Sequence, residues 1–102
     1  MPNPFMEKFG SKAVRRGGTF WFAPVDAIAV IEVAKAQKVL VQGLDGAFLG
    51  PTSTQPSLED SWDYTIGSYP YVSDRYAHAI EFIKIRENKG LHFDVTVRNV
   101  IP

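Results

Sequence analysis

The clearest alternation of apolar and polar residues lies over residues 91–98, near the C-terminus. Leu91, Phe93, Val95 and Val97 fall on one side of an extended chain, and polar residues fall between them. Successive side chains of a strand point to opposite faces, so this pattern predicts a half-buried β-strand. A shorter β-prone run occupies residues 19–22.

Two segments carry apolar residues at helical spacing. The first, residues 25–37, follows Pro24, which suits the first turn of a helix. Its fully apolar stretch, residues 27–31, also fits a buried strand, but the alanines and the length favour a helix. The second helix is expected to begin after Ser73 as N-cap and to end before Gly90.

The centre of the chain predicts a hairpin, a loop and a short helix. Residues 38–44 have the composition of a strand, the dipeptide Asp45-Gly46 is typical of a tight turn, and residues 47–49 would return. After a polar loop, residues 56–62 predict a short helix, because acidic side chains are favourable in a first turn.

These elements predict one α+β domain with a separate N-terminal segment. Residues 1–18 are expected to form a flexible arm, divided by Gly17 and Gly18 from a domain over residues 19–102. Within that domain we expect two main helices packed on one face of a small, mostly antiparallel β-sheet. The length of 102 residues fits a single domain.

The composition of the chain excludes several classes of protein. The chain has no cysteine, which excludes disulfides and thiolate metal sites and fits a reducing compartment. The N-terminus lacks an apolar signal-peptide core, and no apolar run is long enough to cross a bilayer. We therefore expect a soluble, cytoplasmic protein that does not contact membranes.

Charge is distributed unevenly along the chain. The formal net charge is zero, which argues against direct nucleic-acid binding through phosphate neutralisation. Between Lys38 and Arg75, however, there is no lysine or arginine. The acidic residues in this interval are Asp45, Glu59, Asp60, Asp63 and Asp74.

Aromatic residues accompany these acids. Tryptophan and tyrosine are common at the energetic centres of protein interfaces, and an acidic rim would speed association with a basic partner. The alternative is that the rings fill the core and the acids are only solvated. The predicted partner-binding residues are Asp45, Glu59, Asp60, Trp62, Asp63, Tyr64, Tyr69, Tyr71 and Asp74.

Catalytic and metal-binding patterns are weak. His78 and His92 are the only histidines and are not at one-turn spacing, so we expect no metal and no other cofactor. No Gly-x-Ser-x-Gly motif is present, and we expect that the protein is not an enzyme. One alternative is a small enzyme or ligand-binding domain that uses Asp63, Asp74 or His78 in a cleft.

A second alternative places function in the N-terminal segment. A nucleic-acid-associated accessory protein would use its cations, which are Lys8, Lys12, Arg15 and Arg16.

Residues 41–49 (VQGLDGAFL) and 55–64 (QPSLEDSWDY) together resemble small immunity proteins of bacterial polymorphic-toxin and contact-dependent inhibition systems. The similarity extends over roughly residues 24–97. The resemblance implies a cytoplasmic antidote that binds a cognate toxin domain and blocks its active or substrate-binding surface. Many such toxins act on nucleic acids or nucleotides and have positively charged active sites, which an acidic surface would neutralise.

Overall fold

The computed structural model describes residues 4–65 and 74–99, and it confirms the α+β class. Helices alternate with antiparallel strands along the chain. In order, the elements are α1 (Pro4–Glu7), a 3-10 turn (Gly10–Lys12), β1 (Val14–Arg16), β2 (Thr19–Trp21), α2 (Pro24–Ala36), β3 (Val39–Leu49), β4 (Thr54–Asp63), α3 (Arg75–Lys84) and β5 (His92–Asn99).

The strands form a hairpin and a larger sheet. β1 and β2 pair with each other, and β3 lies between β4 and β5 in an antiparallel sheet. Phe22, directly after β2, exchanges two backbone hydrogen bonds of 2.8 Å with Phe93 of β5. These bonds attach the hairpin to the edge of the larger sheet.

The core lies where α2 meets β3 and β5. Helix α2 has Pro24 in its first turn and is followed by Lys38, whose positive φ of 58° turns the chain into β3. Residues 27–31, whose apolar run also fitted a buried strand, thus lie within this helix. Its apolar side chains pack against alternate residues of both strands, and α3 packs against α2. Fully buried rings such as Phe93 each stabilise the fold by about 1.5–3 kcal/mol.

The hairpin turn predicted at Asp45-Gly46 is wrong. β3 continues through both residues, and the chain reverses after Gly50, whose N–H donates to the Ser53 carbonyl at 2.8 Å. Gly46 is needed for close approach instead: a Cβ atom there would overlap the backbone carbonyl of Asp60. An Asp-Gly pair is thus used for its lack of a side chain and not for a turn.

The short helix predicted over residues 56–62 is also wrong, because this segment is strand β4. β4 lies at the edge of the sheet, where Pro56 is tolerated. Gly46 pairs with Ser57 and Leu44 with Trp62, so residues 58–61 of β4 lie opposite Asp45 alone. This bulge turns Asp60 inward and leaves Leu58 outside, 92% exposed.

In the segment 1–18, which is expected to form a flexible arm, the side chains of Phe5, Met6 and Phe9 pack against the domain. Phe5 and Met6 are buried in the core, and removing their apolar surface from water stabilises this packing. The ring of Phe9 contacts those of Phe5 and Phe22 at centroid distances of 5.4 and 6.5 Å.

Helix α3 begins one residue later than expected. Asp74 is its N-cap, accepting a 3.0 Å hydrogen bond from the N–H of Ala77, and the predicted cap Ser73 lies outside the described residues. The helix ends at Lys84, and turns continue to Gly90, which has a positive φ of 81°. Across residues 4–65 and 74–99, no helix combines the length and apolar character needed to cross a membrane.

Candidate functional site

The structure divides the predicted acidic and aromatic patch among separate locations. Asp45 and Asp63 lie on the outer face of the sheet, defined here as the face of β3, β4 and β5 opposite the core residues Leu44 and Val95. The others lie beside or beneath α3, except that Tyr69 and Tyr71 fall outside the described residues. The patch therefore does not form one continuous surface.

Asp60 lies inside the fold, although the sequence suggested an exposed acid. Its carboxylate is 1% exposed and forms salt bridges with Lys89 at 2.7 Å and Arg86 at 3.0 Å. Burial alone would raise its pKa, but hydrogen bonds from Lys89, Ser57 and Arg86 outweigh burial and lower the pKa below its ordinary value. Asp60 is neutralised by the protein's own cations and ties β4 to the end of α3.

Glu59 and Asp74 also contact α3 or the turns that follow it. Glu59 is exposed and lies 3.5 Å from Lys89, which it shares with Asp60. Asp74 caps the helix N-terminus. Contacts within the fold thus explain the positions of both side chains, and neither position requires a binding partner.

Trp62 and Tyr64 pack against α3. The ring of Trp62 contacts that of His78 in a tilted arrangement with a centroid distance of 4.5 Å, and the Tyr64 hydroxyl lies 2.6 Å from His78 Nδ1. Burial raises the pKa of Tyr64 well above its ordinary value. Burial, and then the charge of Arg86, lower the pKa of His78, which favours the neutral imidazole. The imidazole tautomer decides which of the two groups donates, and the Tyr64 hydroxyl also donates to the carbonyl of Arg75 at 3.3 Å. Tyr64 therefore belongs to the hydrophobic core, and Trp62 packs at its edge.

The outer face gathers a different set of carboxylates. Asp45 lies directly opposite Asp94 in the β3–β5 register, and Asp63 lies opposite Gly43, two residues before Asp45. Directly opposed side chains of antiparallel strands have Cβ atoms about 4.5–5.5 Å apart, and like charges at this spacing repel. The sheet therefore holds Asp45 and Asp94 together at a cost in stability.

The protonation of these carboxyl groups reflects that arrangement. Burial, and then the charge of Asp45, raise the pKa of Asp94 to about 6. Burial, and then the charge of Asp63, raise the pKa of Asp45. Asp63 differs because the hydroxyl and backbone N–H of Thr65 donate to it and lower its pKa.

Two cavities, one at the β5 edge of the sheet and one on its outer face, share Thr96 in their lining. One, of about 520 Å³, lies between the β1–β2 hairpin and Asp94. The other, of about 500 Å³, is bordered by Asp45, Asp63 and the exposed Leu58. We call these two cavities together the outer-face groove. Its lining contains the carboxylates of Glu7, Asp45, Asp63 and Asp94 and the guanidinium of Arg15.

Within the described residues, no salt bridge joins a groove carboxylate to a lysine or arginine, unlike Asp60. The same residues contain no cluster of three or more histidine, aspartate or glutamate side chains that could hold a metal ion. The carboxylates of the groove can attract a cationic group through charge and hydrogen bonding.

Sequence reasoning found Asp45 and Asp63 but missed Asp94. The alternation of β5 places Asp94 on the polar face of the strand, which was a usable signal. Its position opposite Asp45 depends on the register between two strands separated by more than forty residues of sequence.

No protein-family model matches the chain, and no curated protein matches it in sequence.

Proposed function

We propose that this protein is an immunity protein that binds a cognate bacterial toxin domain and blocks its active or substrate-binding surface. The observation that carries the proposal is that Asp45, Asp63 and Asp94, which all line the groove, form no salt bridge with a lysine or arginine among the described residues. The resemblance of residues 41–49 and 55–64 to immunity proteins supports the choice of partner. The protein would act in the cytoplasm, by binding and without catalysis.

The electrostatics favour a basic partner. A lysine or arginine placed near Asp45 and Asp94 would offset the repulsion between the two carboxylates, so part of the binding energy comes from relieving an unfavourable pair. Leu58, on the rim of the groove, offers an apolar contact beside the charges. Docking would remove the exposed apolar surface of Leu58 from water, which is favourable.

The arrangement of the layers fits this role. We take both main helices, α2 and α3, to lie on the core side of the sheet. The toxin can then approach the outer face around Asp45 and Asp63, while the β1–β2 hairpin borders the Asp94 end of the groove. The docking mode differs from the one the sequence suggested, since Asp60, Trp62 and Tyr64 support the fold while Asp94 joins the binding surface.

The test is co-expression in a bacterial host with the toxin domain encoded beside the gene, scored by growth. The native chain should restore growth, and Asp45→Asn/Asp63→Asn should restore it poorly. The matched control, Glu32→Gln/Glu81→Gln, removes the same charge from exposed helix positions and should protect fully. Equal protection by all three chains would refute the groove as the binding surface, and no protection by the native chain would refute the immunity role.

A second function is favoured by one specific observation. The groove is concave, and its Asp94 has a pKa of about 6 beside another carboxylate, as expected of a ligand-binding or acid–base site. The protein would then bind a small cationic molecule. Isothermal titration with a diamine such as putrescine tests this alternative: saturable binding that Asp94→Asn abolishes supports it, and no heat of binding refutes it.

A further inference from the structure

The tip of the β1–β2 hairpin is attached to the rest of the domain in an unusual way. Gly17, with a positive φ of 61°, and Gly18 form the tip, and a Cβ atom added to either would meet no atom within 4 Å. Arg15 is exposed, with its guanidinium 4.6 Å from the centroid of the Phe20 ring of the same hairpin. The tip therefore does not pack on the domain through apolar contacts.

Arg16 provides the attachment instead. Its Nη2 donates to the carbonyl of Gly50 and its Nη1 to the carbonyl of Ser53, both at 2.5 Å. The same Nη1 lies 3.5 Å from the Thr54 hydroxyl. The guanidinium thus bridges from the hairpin to the β3–β4 turn, at residues more than thirty positions away. Hydrogen bonds from a charged donor are among the stronger ones in proteins.

The base of the hairpin is fixed in a different manner. Trp21 and Phe22 are buried, and Phe22 is hydrogen-bonded to Phe93. A segment with a buried base, a glycine tip and one polar tether has the construction of a movable strap. Beneath it lies the cavity that Arg15, Thr19 and Phe20 share with Asp94 and Thr96.

We propose that the β1–β2 hairpin is a strap over the Asp94 end of the outer-face groove, and that Arg16 is the latch that holds it closed. Release of Arg16 from the two carbonyls frees the tip, residues 15–19, while the buried base stays in place. The groove then widens on the hairpin side, and Asp94, which is partly exposed in the closed form, becomes more accessible. The latch itself is argued from contacts within the chain. Only its purpose, which is to control entry of a toxin segment into the groove, rests on the proposed function.

Amide hydrogen exchange tests the latch on the chain itself. In Arg16→Gln, the amides of residues 15–19 should exchange about tenfold faster, whereas those of Val30 and Phe93 should not change. The matched control is Arg15→Gln, which removes the same charge from the neighbouring residue and should leave exchange at the tip as in the native chain. Unchanged exchange in Arg16→Gln, or an equal rise at tip and core, would overturn the proposal.

Access to the groove can be measured separately, because the chain has no cysteine. Asp94→Cys introduces a single thiol, and its rate of reaction with a small neutral maleimide should rise about tenfold when Arg16→Gln is added. If that double variant does not fold, Arg16→Lys replaces it and should give a smaller rise, since an ammonium group lacks the fork that spans two carbonyls. Equal labelling rates would overturn the proposal. Neither measurement uses a toxin, so a failed latch and a failed immunity function are distinguishable.

Discussion

Replacing Asp60 by asparagine tests whether this buried carboxylate supports the fold instead of binding a partner. The carboxylate is 1% exposed, while its partners Arg86 and Lys89 are 20% and 41% exposed. A hydrogen bond to a charged group contributes about 1.5–3 kcal/mol, and breaking a fully buried ion pair costs about 3–5 kcal/mol. Because both cations can regain water and asparagine keeps one oxygen, we expect a loss of about 2 kcal/mol.

Urea unfolding followed by tryptophan fluorescence measures this loss. With an m-value of about 1 kcal/mol per molar urea, the midpoint should fall by about 2 M. The matched control is Glu59→Gln, which alters the neighbouring, 81% exposed carboxylate and should change stability by less than about 0.5 kcal/mol. A midpoint for Asp60→Asn equal to that of the control would refute the structural role.

The same variant carries a pH signature. The pKa of Asp60 is lowered in the folded state from 3.8, so its contribution to stability is complete well above pH 4 and is lost as the pH falls through the folded value. The difference in unfolding free energy between the native chain and Asp60→Asn should therefore be full at pH 7 and shrink in acid. A difference that stays constant down to pH 2 would contradict the reasoning.

Three further outcomes are expected. Gly46→Ala should lose at least about 2 kcal/mol of stability in urea unfolding, because the new methyl group meets a backbone carbonyl, whereas Gly18→Ala should change it by less than about 0.5 kcal/mol. Asp94 has a folded pKa of about 6, raised from 3.8, so the stability of the native chain should fall as the pH rises from 4 to 6. Asp94→Asn should remove this fall and increase stability by about 1 kcal/mol at pH 7.5. An unchanged pH profile of stability in Asp94→Asn would contradict the cross-strand repulsion. An NMR titration should give His78 a pKa below 6.5, and a value above it would argue against its burial beside Arg86.

Local patterns predicted the elements whose signals are complete within one segment. β5 follows a strict alternation, α2 combines helical spacing with Pro24 at its start, and α3 has helical spacing, although Ser73 was expected as its N-cap and Asp74 takes that position. Each of these signals depends on neighbours in sequence, which is why they could be recognised without the fold.

The errors came from residues whose role depends on distant partners. Gly46 is small because Asp60 of the neighbouring strand approaches it, and β4 is a strand because β3 supplies its hydrogen bonds. The acids of β4 suggested a helical first turn, whereas Asp60 is stabilised by cations that follow α3. Nothing local distinguishes such an acid from a solvated one.

The candidate site shows the same division. The lysine- and arginine-free interval contains Asp45 and Asp63, but strand register decides that Asp94 lies beside Asp45 and that Asp60 turns inward. A charge count along the sequence gives the number of acids and not the face on which each lies.

The association rate of the purified protein with its toxin domain, measured by stopped-flow fluorescence at low and high salt, tests the groove most directly. Asp45→Asn/Asp63→Asn should associate about five- to tenfold more slowly than the native chain at low salt, and the difference should shrink at high salt, where charges are screened. The control Glu32→Gln/Glu81→Gln should retain the native rate. If instead the two double variants associate at the same rate at every salt concentration, the outer-face groove is not where the partner binds.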